Sequence, residues 1–417
     1  MIGKVGSLLA LAALCGAAIQ AAPGVAIAKS RLLVDGRPLV IRAVGYQNDG
    51  VAPCLYARDL PLIAASGANT VRTLAAVPAG DRHLPAILES TGLYWLADFP
   101  LDSYHDPAEP ILAQRTRILT DFREYVLRLQ GSSRLIAIVF GSGVASDYGL
   151  KFDGTPDDFY ALAADASRIL HETGSRALLT TAVEDPAELA RTVPGLDFWS
   201  LDTTGRPPLD SALKAATLPL LVSSFGGGER EENAQAAAAA ETAAAIAARP
   251  ALLGGVWHTF ASAGPGGLVR RTPGAQEGFD DLQPRTTFYR LAAVWGGTYP
   301  SGWAEVEAPK LERVENETAA SAGALVRIAG TSLMPQGAPY RDESWPFSLG
   351  ATCVCVGSVP ARLSALSPNL LTVQIPTGTE PGERSVVFYR AGRASNTLPV
   401  RIRISADTFA GPILDAD

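Results

Sequence analysis

Apolar residues recur along this chain in two different rhythms, and the change between them falls near residue 304. Before the change, short apolar runs rich in β-branched residues alternate with longer stretches whose apolar positions recur every three to four residues. This alternation is typical of β-strands that are each followed by an α-helix. After the change, apolar and polar positions alternate at period two, which indicates strands without intervening helices.

The first part contains eight strand patterns, each followed by a helix pattern. The predicted strands cover residues 40–45, 69–74, 93–99, 135–141, 177–182, 198–202, 219–224 and 253–259. The predicted helices cover residues 59–66, 84–91, 116–129, 157–173, 187–192, 210–216, 231–248 and 286–294. Strict alternation of eight strands and eight helices predicts an α/β fold, a (β/α)8 TIM barrel, over residues 31–300.

The last part reads as a separate all-β domain. Its predicted strands cover residues 324–328, 352–356, 371–375, 385–389 and 400–404. Turn sequences separate them, among them Ser-Pro-Asn at 367–369 and Glu-Pro-Gly-Glu at 380–383. We therefore expect an immunoglobulin-like β-sandwich over residues 305–405, placed after the TIM barrel.

Residues 1–21 have the pattern of a secretory signal peptide. Lys4 supplies a positive charge, residues 5–18 form a short apolar run, and Ala21 is a small residue at the expected cleavage point. The pattern predicts a protein that is secreted or held at the cell envelope. Attachment to a membrane is expected only if this segment is retained as an anchor.

Three cysteines follow the signal segment, namely Cys54, Cys353 and Cys355. An odd number cannot pair completely within one chain. Cys353 and Cys355 lie two apart in a strand and so face the same side of it. A disulfide or soft-metal pair and two half-buried strand residues are the alternatives, and the lack of a nearby His/Cys cluster favours the second.

Composition narrows the classes of function. The 417 residues include 35 Lys+Arg and 42 Asp+Glu, for a formal charge of −7, and 47% are hydrophobic. A high apolar fraction argues against disorder, and the absence of a Lys/Arg-dense run argues against nucleic-acid binding. The glycines at 226–228 lack the lysine or fingerprint of a phosphate-binding loop, and the four histidines lack ligand spacing. No cofactor, metal or nucleic acid is predicted.

The barrel segment, from residue 31 to about 269, resembles the retaining (β/α)8 glycoside hydrolases, and most closely the family 72 β-1,3-glucanosyltransferases. The matching motifs lie at 33–38, 41–47, Cys54, 58–61, 67–72 and 93–98. The resemblance implies an Asn-Glu pair after the fourth strand, with the Glu as acid/base, and a nucleophilic Glu at the end of the seventh. Here Ser142 and Gly143 occupy the first two positions and Ser224 the third. Because retention needs both carboxyls, the resemblance implies a barrel that has lost hydrolysis.

Other carboxylates near the predicted strand ends offer an alternative. Asp147 lies four residues beyond Gly143, and Glu229 lies five beyond Ser224. They are the candidates for a relocated acid/base pair in an active glycoside hydrolase or glucanosyltransferase. The structural alternative is that rim carboxylates cap helices or pair with Arg72 or Arg206.

Several side chains at predicted strand ends are candidates for ligand binding, because the carboxyl ends of the strands form the functional rim of a TIM barrel. They are Tyr46, Arg72, Asp98, Trp199, Asp202, Trp257 and His258. The aromatic members either form a platform for a sugar or pack in the core. Without a glutamate at position 224, Arg72 needs another anion, and Asp98 or a ligand group is the candidate.

The final domain resembles immunoglobulin-like modules of the IPT/TIG type, through residues 323–331 and 367–376. Such modules mediate contacts in extracellular proteins. Three hypotheses follow: an inactive glycosidase-like protein that binds glycan or another cell-surface partner at the barrel rim, an active glycosidase with relocated carboxylates, and an extracellular adhesion or scaffold protein.

Overall fold

The computed structural model describes residues 24–203, 205, 207–262, 266–273, 280–298, 307–315, 319–334, 340–341, 346–349 and 352–403. The predicted signal peptide, the boundary near residue 304 and Arg206 lie outside these residues. Within the described ranges, no helix is both long and apolar enough to cross a membrane.

Eight parallel strands close into a barrel, as the alternating pattern predicts. They are β1 (Ile41–Tyr46), β2 (Thr70–Thr73), β3 (Tyr94–Phe99), β4 (Leu135–Phe140), β5 (Leu178–Val183), β6 (Phe198–Asp202), β7 (Leu220–Phe225) and β8 (Leu252–Trp257). Neighbours in sequence are neighbours in the barrel, and β8 closes on β1. Every residue of β4 is buried, because the barrel interior covers one face and helices cover the other.

Helices surround the barrel. They are α1 (Pro53–Ala65), α2 (His83–Thr91), α3 (Arg115–Leu129), α4 (Pro156–Glu172), α5 (Leu209–Ala215), α6 (Glu232–Ala247) and α7 (Thr286–Trp295), with a single helical turn at Tyr148–Lys151. Thr155 and Asp158 form a capping box at the start of α4. Helix α1 begins six residues before the predicted start, since Pro53 lies in the first turn, where its missing N–H is not needed.

The prediction of an α-helix over residues 187–192 was wrong about the type of helix. The segment Pro186–Ala190 is a 3-10 helix, and Asp185 caps it by accepting a hydrogen bond from the Ala187 amide. Pro194 follows closely and disfavours the α conformation before it, so the segment is too short to propagate an α-helix.

A small antiparallel sheet closes one end of the barrel. Its strands are Val25–Ala28, Arg31–Val34 and Arg37–Leu39. Leu32 and Val34 pack with interior residues of the barrel, namely Ile41, Ala43, Leu96, Ile136, Ala137, Leu178, Phe198, Leu221, Leu253 and Val256. Because this sheet immediately precedes β1, it covers the amino-terminal end of the strands, which leaves the carboxyl-terminal end available for a site.

The final domain is a curled β-sheet that forms a sandwich. Its main strands are Lys310–Val314, Ala319–Ser321, Leu325–Thr331, Thr352–Val356, Val359–Leu366, Leu370–Gln374, Gly382–Arg390 and Leu398–Arg403, with short strands at Tyr340–Arg341, Ser348–Leu349 and Arg393–Ala394. All pairings are antiparallel except that of Ala319–Ser321 with Leu398–Arg403. Its own apolar core includes Ile328, Val354 and Phe388, which is why the alternating pattern predicts it well.

The barrel and the β-sandwich share a packed junction. The amide of Cys54 donates to the carbonyl of Ser358 at 3.1 Å, and the Leu282 amide donates to the Gly392 carbonyl at 2.9 Å. Arg58 on α1 lies over the ring of Tyr389, 5.2 Å from its centroid. Helix α1 is therefore buried on one side by the barrel and on the other by the sandwich.

Candidate functional site at the barrel mouth

The carboxyl ends of the barrel strands surround a polar cavity of about 240 Å³, the mouth cavity. It is lined by Arg72, Leu74, Asp98, Pro100, Asp102, Ser142, Asp202, Ser223, Ser224, Val256 and His258. The pairing of β6 with β7 skips Ser223, so this bulge brings both Ser223 and Ser224 to the mouth. The site therefore draws on several strands, as is usual for TIM barrels.

One guanidinium organises the floor of the cavity. Arg72 Nε and Nη2 donate to the two carboxylate oxygens of Asp98, at 2.9 and 2.8 Å. Its Nη1 donates to Asp202 Oδ1 at 3.0 Å and to the Ser223 carbonyl. Nη2 also donates to the Ser142 hydroxyl at 2.9 Å. The expected pairing of Arg72 with Asp98 is present, and Asp202 is a second anion on the same cation.

The pKa values of the two aspartates are shifted in opposite directions. Burial raises the pKa of Asp98, although the Arg72 charge opposes the shift. Burial also acts to raise the pKa of Asp202, but Arg72 and hydrogen bonds from Ser223 and Ser142 outweigh it, so the net pKa is lowered. The Asp202 side chain is 19% exposed, whereas that of Asp98 is 5% exposed. Asp202 is thus the more exposed of the two carboxylates and the one that a ligand would meet.

Ser142 and Gly143 follow β4, and neither carries a carboxyl group. The Ser142 hydroxyl donates to Asp202 Oδ2 at 2.8 Å. Gly143 has φ of +65°, which a β-carbon would strain. A β-carbon built there would lie 2.9 Å from Glu184 Oε1. The Glu184 carboxylate therefore occupies the space into which a longer side chain at position 143 would extend.

Glu184 is a rim residue that the sequence patterns did not single out. It follows the last residue of β5 and is exposed. A signal was present, since an acidic residue directly after a predicted strand lies on the barrel rim. The predicted strand over 177–182 placed Glu184 two residues beyond its end, and no family motif pointed to it.

The relocated candidates do not join this group. Asp147 is exposed at the start of the helical turn Tyr148–Lys151, and Glu229 is exposed in the loop before α6. Neither lines the mouth cavity. Asp147 begins the helical turn, but its side chain makes no capping hydrogen bond, and it is the Glu229 amide rather than its carboxylate that is bonded to Gln235 Oε1, at 3.0 Å.

The aromatic candidates are packed in the core, so the expected platform is not formed by them. Tyr46 donates its hydroxyl to Asp59 on α1 at 2.8 Å. Trp199 is wholly buried and donates to the Thr217 hydroxyl. Trp257 is wholly buried between Phe225 and the loop that starts at Gly226. A β-carbon at Gly226 would lie 2.3 Å from the Trp257 ring, which explains a glycine after β7 without a phosphate-binding role.

Among the predicted ligand-binding residues that line the mouth cavity, His258 has a pKa well below the usual value for histidine. Burial lowers its pKa to about 4, and the carbonyl of Phe225 only partly opposes that shift. We expect an NMR titration of the ring protons to show His258 neutral at pH 7, with a midpoint near pH 4. A pKa below its unfolded value means that stability is lost as pH falls from about 6.5 towards 4. His258→Gln should reduce this loss; a titration midpoint near 6.5 would contradict the expectation.

Comparisons with known proteins place the fold. No protein-family profile matches the sequence, and no curated protein sequence matches it. Bacteroides uniformis β-glucuronidase 2, covalently bound to cyclophellitol-6-carboxylate aziridine, matches at TM-score 0.51 and 15% identity, over 90% of this chain and 47% of that one. An FMN-binding β-glucuronidase from Facaelibacterium prausnitzii L2-6 matches at TM-score 0.52 and 12% identity, over 92% and 59%.

A β-glucuronidase from Ruminococcus gnavus, in complex with C6-substituted uronic isofagomine, matches at TM-score 0.51 and 16% identity, over 65% of this chain and 52% of that chain. The chain spans about half the length of these proteins. At such identities the likeness establishes the fold alone. The fold is thus a TIM barrel followed by a β domain, the architecture expected from the sequence.

Proposed function

We propose that this protein is a secreted or envelope-bound glycosidase-like protein that binds a glycan at its barrel mouth without cleaving it. The observation that carries the proposal is the shared use of Arg72 by Asp98 and Asp202. A retaining glycosidase needs one protonated carboxyl as acid and one free carboxylate as nucleophile. Here both carboxylates of the cavity floor are bonded to one cation, which opposes the protonation that the acid role requires.

The resemblance to family 72 supports the same proposal. At the positions where that family carries its acid/base and nucleophile, this chain has Gly143 and Ser224. Glycine offers no functional group, and a serine hydroxyl is a weak nucleophile without an activating base. A protein that keeps the barrel but lacks the acid/base and the nucleophile fits a binding role.

The chemistry of the cavity fits a polyhydroxylated ligand. Ser142, Ser223 and Ser224 supply hydroxyls, and Asp202 supplies a partly exposed carboxylate that can accept from sugar hydroxyls. The volume of about 240 Å³ lies below the roughly 300–1,000 Å³ of sites for drug-sized ligands. We therefore expect the cavity to hold one end of a glycan chain rather than an internal stretch.

A binding and turnover experiment tests the proposal. Purified protein should bind members of a glycan array, with affinity measured by calorimetry, and should release no product from β-1,3-glucan oligosaccharides or aryl β-glucuronides. Ser224→Phe should fill the cavity and weaken binding at least tenfold, whereas the matched Ser224→Ala removes one hydroxyl only and should weaken binding by no more than a few fold. Equal binding by both variants would place the glycan elsewhere and refute the mouth as the site.

A second function is favoured by the position of Glu184. Its carboxylate lies where the side chain of a residue at 143 would extend, which is the acid/base position implied by the family resemblance. In this alternative the protein is an active glycoside hydrolase that takes its acid from β5. Turnover that Glu184→Gln abolishes, and that Glu229→Gln leaves unchanged, would establish this alternative and overturn the binding-only proposal.

The β-sandwich enters the proposal as a contact module of the IPT/TIG type. Its resemblance to such modules over 323–331 and 367–376 supports a role at a cell surface. Attachment of the protein to cells can be measured directly. If variants at the mouth leave this attachment unchanged and the glycan array shows no binding, the adhesion hypothesis is favoured over glycan binding at the mouth cavity.

A further inference from the structure

Three cysteine side chains meet at the junction between the barrel and the β-sandwich. Cys54 is the second residue of α1, and Cys353 and Cys355 lie in the strand Thr352–Val356. All three are buried free thiols in one apolar cluster that spans the junction. Elements almost three hundred residues apart in sequence thus bring together the described cysteines of the chain.

The backbone holds the two elements in place at this point. The Cys54 amide donates to the Ser358 carbonyl, just beyond the cysteine-bearing strand, at 3.1 Å. The strand itself is paired on both sides, with Cys355 opposite Val387 and Pro360. Cys54 acts on the Cys355 thiol as a hydrogen-bond partner, and all three thiols lie in the same buried cluster.

Strand geometry excludes the pair that is closest in sequence. Residues i and i+2 of a strand are separated by about 6.7 Å, and their side chains project in parallel. A disulfide requires β-carbons about 3.5–4.5 Å apart. Cys353 and Cys355 therefore cannot bond to each other without distorting a strand that is hydrogen-bonded on both edges.

We propose that Cys54 and Cys355 form a disulfide that clasps the β-sandwich to the barrel, with Cys353 left as a buried free thiol. The oxidant is a disulfide compound, either a low-molecular-weight disulfide or a protein disulfide oxidase. One cysteine thiolate attacks the oxidant to give a mixed disulfide and release a thiol. The second thiolate then displaces the other thiol, so two electrons and two protons pass to the oxidant.

The bond forms before the junction closes. Burial raises the pKa of the Cys355 thiol in the folded protein, so little thiolate is present once the sandwich has docked. During folding the same thiols are exposed and ionise near their ordinary pKa. The clasp is thus a product of oxidative folding, and a folded reduced chain should oxidise slowly.

Refolding in a glutathione buffer tests the clasp. The full chain is reduced in denaturant, refolded with oxidised glutathione, alkylated, digested with trypsin and examined by mass spectrometry. The peptide 43–58 should be linked to the peptide that ends at Arg362. Of the four cysteines, titratable thiols in denaturant should fall from four to two. Absence of the linked peptides, or linkage through Cys353, would overturn the assignment.

Two matched variants show whether Cys353 or Cys355 pairs with Cys54. Cys355→Ser should abolish the linked peptides, whereas Cys353→Ser should retain them, with circular dichroism confirming that each variant is folded. A measurement on the parent protein alone gives an independent result: the urea midpoint of the oxidised chain should exceed that of the chain kept in reductant. Equal midpoints, or a linked pair that persists undiminished in Cys355→Ser, would refute the clasp.

Discussion

Replacing Arg72 with methionine is expected to lower the free energy of unfolding by roughly 3–5 kcal/mol, the range for removing one partner of a buried ion pair. Arg72 is buried and bonds both oxygens of Asp98 as well as Asp202 Oδ1. The variant would leave two carboxylates at the barrel mouth without their cation. Urea unfolding at pH 7, followed by circular dichroism and tryptophan fluorescence, measures the difference.

The pH dependence of this loss identifies its cause. Without Arg72, burial raises the pKa of Asp98 and Asp202 in the folded state above their unfolded values of about 3.9. Groups of this kind bind protons more tightly when folded, so the variant regains stability relative to the parent as pH falls. The deficit should therefore shrink between pH 7 and pH 4. A deficit that is constant over this range would point to lost packing instead.

A milder variant serves as control for the same network. Ser142→Ala removes two hydrogen bonds, one to Asp202 and one from Arg72, but leaves the guanidinium in place, so we expect a loss of about 0.5–1.5 kcal/mol for each bond. Arg72→Lys keeps the positive charge but cannot bond both oxygens of Asp98 in the same planar arrangement. It should lie between Ser142→Ala and Arg72→Met in stability.

The barrel could be predicted because burial on both faces leaves a strong signal in the sequence. The strand β4 is apolar throughout, and α4 has its cap at Thr155. Two strands of the sandwich were harder to predict. Lys310–Val314 carries charges on its exposed positions and Val359–Leu366 contains Pro360, so neither has the continuous alternation that marks a strand.

Some of the residues around the mouth cavity could be found from the sequence. Position at a strand end identified Arg72, Asp98, Asp202 and His258, all of which line the mouth cavity. The same criterion failed for Trp199, because it does not tell whether a side chain points into the barrel or towards the helices. Trp199 points outward, where it contacts Tyr160 on α4. The bulge that brings Ser223 to the mouth depends on the pairing of β6 with β7, which no local pattern specifies.

The junction between the domains rests on a second buried ion pair, which is the basis of the last prediction. Arg58 Nε donates to Asp59 Oδ1 at 2.6 Å, and both side chains are almost wholly buried. Arg58 also donates to the carbonyl of Asp280 at 3.2 Å and lies over the Tyr389 ring of the sandwich. The cation thus connects α1 to the sandwich, and Asp59 neutralises it.

Asp59→Ala is expected to destabilise the protein by roughly 3–5 kcal/mol, since it leaves Arg58 as a buried, uncompensated cation. It also removes the acceptor of the Tyr46 hydroxyl. Because Arg58 reaches the sandwich, we expect the junction to loosen first. Hydrogen exchange measured by mass spectrometry should quicken at the amides of Leu282 and Ala394, which are bonded across the junction to the Gly392 carbonyl and Asp281 Oδ1.

Two controls distinguish a lost charge from lost packing at this junction. The double variant Arg58→Met/Asp59→Leu removes both charges, so it should be more stable than Asp59→Ala alone, and the double-mutant cycle should show strong coupling. Arg168→Ala disrupts an exposed pair on α4 that solvent screens, so it should leave the urea midpoint almost unchanged. If the loss of stability in the double variant equals the sum of the losses in the two single variants, Asp59 does not act by neutralising Arg58, and the junction depends on packing alone.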